Sequence, residues 1–275
     1  MTQQSRTQMV DRIAEEAIDL IGSGRQVPTF SSRFPVFELG DAYEVAARVR
    51  SFRSKRGEKV VGRKIGFTNR SVWSGYGISG PIWNYMFDTT VGDLSENGGT
   101  YLLAALTEPR IEPEIVLHLA SVPDTSMSDD ELVACVDWVA LGFEIVHSIF
   151  PGWVFTAADA VAAYGVHASL LIGQKHVISE NPIVWGEQIS SFTISIERGD
   201  GLVRSGGGAN VLGSPFKALR FLLEEIADNS SGDPLRAGEL ITTGTLTEAM
   251  PAVSGEVWVT STSGISLEPL RLQFR

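Results

Sequence analysis

Three glutamates are placed where they could do chemistry. In RIEPEI (110–115), Glu112 and Glu114 stand two residues apart on a segment with strand character, so both side chains leave one face. The mostly apolar run IVLHLA follows and carries the segment toward the core. Adjacent carboxylates repel unless a cation or a base neutralises them. A divalent metal is the economical answer, and all-oxygen ligation suits Mg2+ or Mn2+. Taken alone, the pair reads more simply as a solvent-facing edge beside Pro113. Glu144 changes the balance. It lies in VALGFEIVH (139–147), an otherwise apolar strand where an unpaired carboxylate would be costly. A third metal ligand gives Glu144 a partner; the competing partner is an arginine, Arg110 or Arg204.

Lys64 lies in VVGRKIGFT (60–68), between strand-like residues. A desolvated lysine beside a metal can hold a carboxylate or move protons. The competing reading is a surface lysine ending the basic run Arg48, Arg50, Arg53, Lys55, Arg56 and Lys59. The four histidines, His118, His147, His167 and His176, are not at zinc-ligand spacing. His167 reads either as a general base or as a packed histidine bonded to backbone. His147 is a weaker candidate, and His118 and His176 read as structural or exposed. There is no phosphate loop, no GxGxxG after a strand, no GxSxG elbow and no HExxH. Cys135, in an apolar helix, reads as core.

The elements that must carry these residues are legible in outline. Helical spacing runs over 7–21, and Asp41 with Glu44 suggests a capping box opening a helix that ends near Gly57. Ser128 and Glu131 repeat that device ahead of Leu132, Val136 and Val139. Ser214–Pro215 opens a helix with Phe216, Leu219, Leu222, Leu223 and Ile226 on one face. Strand signals lie near 60–66, 111–119, 141–147, 168–172, 191–197, 239–243, 256–262 and 265–274. The stretches SGGG (205–208) and NSSGD (229–233) read as loops. Helices come first and strands follow without a βαβα rhythm, so the fold class expected is α+β. A soft boundary near 75 would divide a helical N-terminal region (residues 1–75) from a strand-rich catalytic region (residues 76–275).

Composition excludes several classes. The 275 residues are 43% hydrophobic and 20% charged, enough to bury a core and too apolar for disorder. A net charge of −11 disfavours nucleic acid and acidic membranes as partners. One cysteine forms no internal disulfide, the N-terminus lacks a signal-peptide core, and no apolar run spans a bilayer. A cytoplasmic protein is expected.

The segments GRKIGFT (62–68), RIEPEI (110–115), ALGFEIVHS (140–148), the Gly-rich loop to LGSP (212–215), and DPLRAGELITTGTLTEAMPAVSGE (233–256) resemble the 2-keto-4-pentenoate hydratase family, within the fumarylacetoacetate hydrolase superfamily. The resemblance runs in order from about residue 10 to the end. It implies a mixed β-roll or sandwich flanked by helices, with a small N-terminal α/β region. It implies a Mg2+ or Mn2+ site on Glu112, Glu114 and Glu144, a substrate contact and proton transfer by Lys64, and a turn at Thr243, Gly244 and Thr245 against the substrate. It implies a homo-oligomer acting on 2-oxo or 2-hydroxydienoate acids from aromatic-ring degradation. The activity expected is a hydratase, a lyase adding water to a 2-hydroxy-2,4-dienoate. On the same site the alternatives are a 2-oxo-acid decarboxylase or a C–C bond hydrolase; from another class, a noncatalytic small-acid binding protein. Where such hydratases commonly carry an Asp, the best alignment has Ile82, with Asp88 nearby. Where they carry an Asp-Asn-x-Ser run, this chain reads Ala163-Tyr164-Gly165-Val166, then His167. With Trp83, Trp153, Phe155 and Tyr164, this implies a bulkier, more apolar pocket.

Overall fold

The computed structural model describes residues 2–70, 73–76, 78, 80–228 and 232–275. Of the expected NSSGD loop, 229–231 lie outside the described residues. Eight helices are present among those described: α1 (Gln3–Leu20), α2 (Phe30–Arg33), α3 (Leu39–Lys55), α4 (Trp73–Tyr76), α5 (Asp129–Ala134), α6 (Ala157–Ala162), α7 (Pro182–Ser191) and α8 (Pro215–Asp228). None is long and apolar enough to cross a membrane.

The strands are β1 (Val60–Gly66), β2 (Ile82–Phe87), β3 (Val91–Asp93), β4 (Thr100–Tyr101), β5 (Arg110–Leu119), β6 (Val136–Val146), β7 (His167–Ile172), β8 (His176–Val177), β9 (Thr193–Arg198), β10 (Val203–Gly207), β11 (Leu240–Thr245), β12 (Met250–Pro251), β13 (Val257–Ser263) and β14 (Arg271–Phe274). The larger sheet runs β2-β1-β11-β5-β6-β7-β3, with β12 on β5 and β8 on β6; the smaller runs β10-β9-β13-β14-β4. The expected α+β class and its mixed sheets with flanking helices are what the chain adopts.

The turn between β2 and β3 joins the two ends of the larger path, so that sheet curls into a roll. Alternation along its strands sorts the side chains. One face carries Ile111, Ile115 and Leu117 into the main core, where they are fully buried. The other face carries Glu112, Glu114, Val116, Ala140, Gly142 and Glu144, held in register by β5 and β6: Glu112 pairs with Glu144, Glu114 with Gly142, Val116 with Ala140. Behind the carboxylates this inner face is plugged by Met86, Val116, Ala140, Leu170 and Ile172, a small apolar cluster of its own. Gly142 is needed there, because a Cβ would lie 2.9 Å from Val116 Cγ2. β1, which belongs to the expected N-terminal region, pairs with β2 and β11, so Lys64 shares the sheet of the carboxylates.

Outside the roll, α8 packs Phe216, Leu219, Leu222 and Leu223 inward; each buried side chain of this kind contributes about 1.5–3 kcal/mol. Thr156 and Asp159 cap α6, and the same Asp159 accepts from Ser31 N–H and Oγ, fastening α2.

Several boundaries differ from expectation. Asp41 is the third residue of its helix rather than the cap: its carboxylate accepts from Glu38 N–H at 3.0 Å. The Ser128–Glu131 box forms, but its helix stops at Ala134 and Val136 opens β6. Val136 and Val139 are β-branched and fill positions in a strand flanked on both sides, which outweighs a short helix. SGGG is no loop: Ser205, Gly206 and Gly207 pair with β9. Glycine serves closeness there, since a Cβ on Gly206 would lie 1.9 Å from Leu246 O. The expected strand 265–274 is reduced to β14.

Candidate active site

Glu112, Glu114 and Glu144 converge inside the roll, with one carboxylate oxygen of each lying within 4.8 Å of the others. Glu114 and Glu144 are fully buried and Glu112 is partly exposed. One oxygen of Glu114 accepts from Gly244 N–H at 2.9 Å; the other, Oε1, is buried with no hydrogen-bond partner among the described residues. Burial pushes Glu112 up to about 7, with Lys64 opposing and Glu144 adding repulsion. Burial, then Glu144 and Glu112, push Glu114 well above the usual carboxylate range. Three inward carboxylates, two of them resisting ionisation and one oxygen unsatisfied, form a donor set short of positive charge. Such a set fits a hard divalent cation.

Glu144 has two counter-groups. Lys64 Nζ lies 3.3 Å and 3.4 Å from its two oxygens, and His167 Nδ1 lies 2.7 Å from Oε1. Burial opposes ionisation of Glu144, but Lys64 and His167 outweigh it and hold the carboxyl at about 2. Lys64 is 2% exposed. Burial would strip its proton, but the three glutamates overcome this and raise the ammonium above its ordinary value. Of the arginines considered as partners for Glu144, Arg204 pairs with Glu248 at 3.0 Å, while Arg110 lines the same cavity, stacks over the Trp153 ring at 4.2 Å and favours ionisation of Glu112.

A cavity of about 450 Å³ opens on this cluster. Its wall includes Lys64, Glu112, Glu114, Thr68, Asn69, Arg110 and Thr245, with Phe67, Trp153 and Val166 as apolar patches, Ser205 and Asn210 from β10 and the turn after it, and Thr247 and Glu248 from the connection between β11 and β12. Phe67, Trp153 and Val166 hold positive φ of 58°, 58° and 57°. That conformation is strained, most of all for β-branched Val166, and is retained where packing over-determines it.

The structure separates the remaining expected site residues. Thr245 faces the cavity and its Oγ1 has no partner among the described residues. Gly244 contributes its N–H to Glu114, and Thr243 turns away to donate to Ile115 O at 3.2 Å. His167 stands behind Glu144 with both ring nitrogens engaged, the second 3.0 Å from Thr90 Oγ1. It is not among the residues that line the cavity. Of the four aromatic residues expected to bulk the pocket, Trp153 lines it and Phe155 packs on Trp153. Trp83 stacks on Tyr43, and the Tyr164 hydroxyl donates to Ala17 O. Asp88 accepts from Lys59 N–H and does not stand in for the missing Asp. Thr68, Asn69, Ser205, Asn210, Thr247 and Glu248 were not anticipated. Alternation from Lys64 through Gly66 could have found Thr68.

No family model matches the chain. It is 29% identical over 267 residues to a 2-keto-4-pentenoate hydratase of Paraburkholderia xenovorans (strain LB400), covering 96% of this chain and 94% of that one. It is 29% identical over 241 residues to a 4-oxalocrotonate decarboxylase of a Pseudomonas species, covering 88% and 89%. A solved structure of 4-oxalocrotonate decarboxylase from Pseudomonas putida G7, complexed with magnesium and adipate, superposes with a TM-score of 0.85 at 23% identity over 100% of this chain and 99% of that one. The chain is therefore similar, over most of its length, to 2-keto-4-pentenoate hydratases and 4-oxalocrotonate decarboxylases, and it shares its fold with the solved 4-oxalocrotonate decarboxylase.

Proposed function

We propose that this protein is a divalent-metal-dependent hydro-lyase that adds water to a 2-hydroxy-2,4-dienoate, giving a 4-hydroxy-2-oxo acid, in the breakdown of aromatic compounds. The observation that carries the proposal is the inward triad of Glu112, Glu114 and Glu144 with buried Lys64 on the same cavity. The likeness to a hydratase over 96% of the chain and to a decarboxylase over 88% of it supports the proposal.

Glu112, Glu114 and Glu144 would hold Mg2+ or Mn2+. An ion held there would supply Lewis-acid stabilisation of the negative charge that develops on the 2-oxygen of the substrate. Lys64 Nζ, kept charged by the glutamates, holds the proton that ketonisation moves to the far carbon of the dienol as the 2-hydroxyl loses its own. The product is a conjugated enone. Water adds across it, with hydroxyl at C4 and a proton at C3, and no other co-reactant is required. Thr68 and Thr245 offer hydroxyls to the substrate from the wall. The cavity is larger than a five-carbon acid fills, so a bulkier dienoate is the substrate class proposed.

One observation favours a second reading. His167 does not face the cavity, and a decarboxylase needs the same charge stabilisation without a base poised on water. The deciding experiment is product mass after incubation with a 2-hydroxy-2,4-dienoate or a 2-oxo-enedioate and Mg2+, with an EDTA control. Gain of one water, lost with EDTA, establishes the hydratase. Loss of CO2 establishes the decarboxylase. Metal uptake with turnover of neither leaves a binding protein.

A further inference from the structure

We propose that His167 is a positioning residue: it pins the Glu144 carboxylate in its ligating orientation, and Thr90 anchors it to the turn that closes the roll. The inference rests on the reading of the three glutamates as metal ligands.

Glu144 is fully buried, and its Oε1 meets His167 Nδ1 at 2.7 Å. Lys64 approaches both oxygens at longer range. The short bond therefore sets the rotation of the carboxylate, and a ligand held by an outer partner presents its remaining lone pairs in a fixed direction. The imidazole is bonded at both ends. Nε2 lies 3.0 Å from Thr90 Oγ1, and the side chain is only 2% exposed. His167 is not among the residues that line the cavity, and both of its ring nitrogens are engaged by Glu144 and Thr90.

Thr90 is itself fixed. Its hydroxyl donates to Phe87 O at 3.1 Å, and its N–H donates to the same carbonyl at 2.8 Å. Its own carbonyl accepts from Leu170 N–H at 2.8 Å and from Ser169 Oγ at 3.0 Å. A chain of polar contacts thus runs from a ligand on β6, through the first residue of β7, to the turn between β2 and β3. The register shift of β6 between Ile145 and Val146 falls where His167 pairs. Such irregularities re-aim a side chain.

The test is Mn2+ affinity of the full-length protein, read by electron paramagnetic resonance, for the parent, His167→Phe, His167→Asn and Thr90→Val. The asparagine amide can replace Nδ1; the phenylalanine cannot. His167→Phe is expected to weaken Mn2+ binding about 10- to 100-fold, with His167→Asn recovering most of the loss. Thr90→Val should lose on the order of threefold to tenfold. Should His167→Phe fail to fold, Thr90→Val decides: unchanged affinity overturns the proposal. Parent-like affinity in His167→Phe also overturns it. So does a fall in kcat in both His167 variants at unchanged Mn2+ affinity, which makes His167 a proton-transfer group. A parent that takes up no Mn2+ removes the metal reading and this inference together. A parent that binds, with variants that bind equally well, removes this inference alone.

Discussion

Glu112 and Glu144 face each other as register partners on β5 and β6. Two carboxylates directly opposite on an antiparallel pair destabilise it unless something positive lies between them. Lys64 answers some of that charge, and a bound cation would answer the rest.

Glu114→Gln should therefore remove metal binding and turnover together. In the parent, Mg2+ at 100 times its Kd should raise stability by about 2.7 kcal/mol, seen as a higher Tm than in EDTA. The variant should melt at the same temperature with and without the ion. A variant that still gains stability from Mg2+ counts against Glu114 as a ligand.

Lys64→Met should spare metal uptake and lower kcat by roughly 10²- to 10⁴-fold, the range of a lost proton-transfer group. In EDTA it should also be less stable, by about 3–5 kcal/mol, because Glu144 loses its buried counter-charge. Isothermal titration with Mn2+ and urea melts with and without metal separate the two effects. Unchanged kinetics would remove Lys64 from the chemistry.

Gly244→Ala tests the backbone donor to Glu114. Gly244 has φ of 101°, and a Cβ there would lie 1.9 Å from Thr68 Oγ1. The strain alone is worth about 1–3 kcal/mol, and the N–H that holds Glu114 must move. A lower Tm and weaker metal binding are expected. A variant matching the parent in both would show that the turn tolerates a side chain.

His147 gives a pH signature. Burial, with His167 nearby, pushes its pKa down to about 4. The unfolded chain protonates near pH 6.5, so between these values it binds more protons than the folded one. The contribution is fully present above about pH 6.5 and is lost as pH falls to about 4, by roughly 3 kcal/mol. Urea melts across that window should show the slope in the parent and a shallower one in His147→Gln. Equal slopes would place the acid sensitivity elsewhere.

The ligand set was legible in sequence because strand alternation and the cost of burying charge act locally. Two-residue spacing put Glu112 and Glu114 on one face, and the apolar run around Glu144 demanded a partner. The identity of that partner was not legible. Lys64 and His167 reach Glu144 across strands whose register includes an irregularity, and an irregularity inverts any inference from alternation. Lys64 was further masked by the basic residues before it, of which Arg48, Arg50, Arg53 and Lys55 belong to α3. The glycines of β10 misled in the opposite direction: they mark close packing of backbones, which composition does not distinguish from a loop. Thr90 is ordinary in sequence, and its place follows from how the roll closes.

The parallel pairing of β1 with β11 has a consequence for how the protein is made. Arg63 and its partner Glu239 are 176 residues apart in the chain, and Lys64 is next to β11 at Thr242. On a ribosome, β1 emerges long before the strand that must lie beside it. Until then β1 has β2 on one side and an open edge on the other, the condition that invites wrong strand pairing. Contacts of such long range also slow folding. Lys64, carried on that edge, keeps the waiting strand charged until the last third of the chain arrives and buries it among the glutamates.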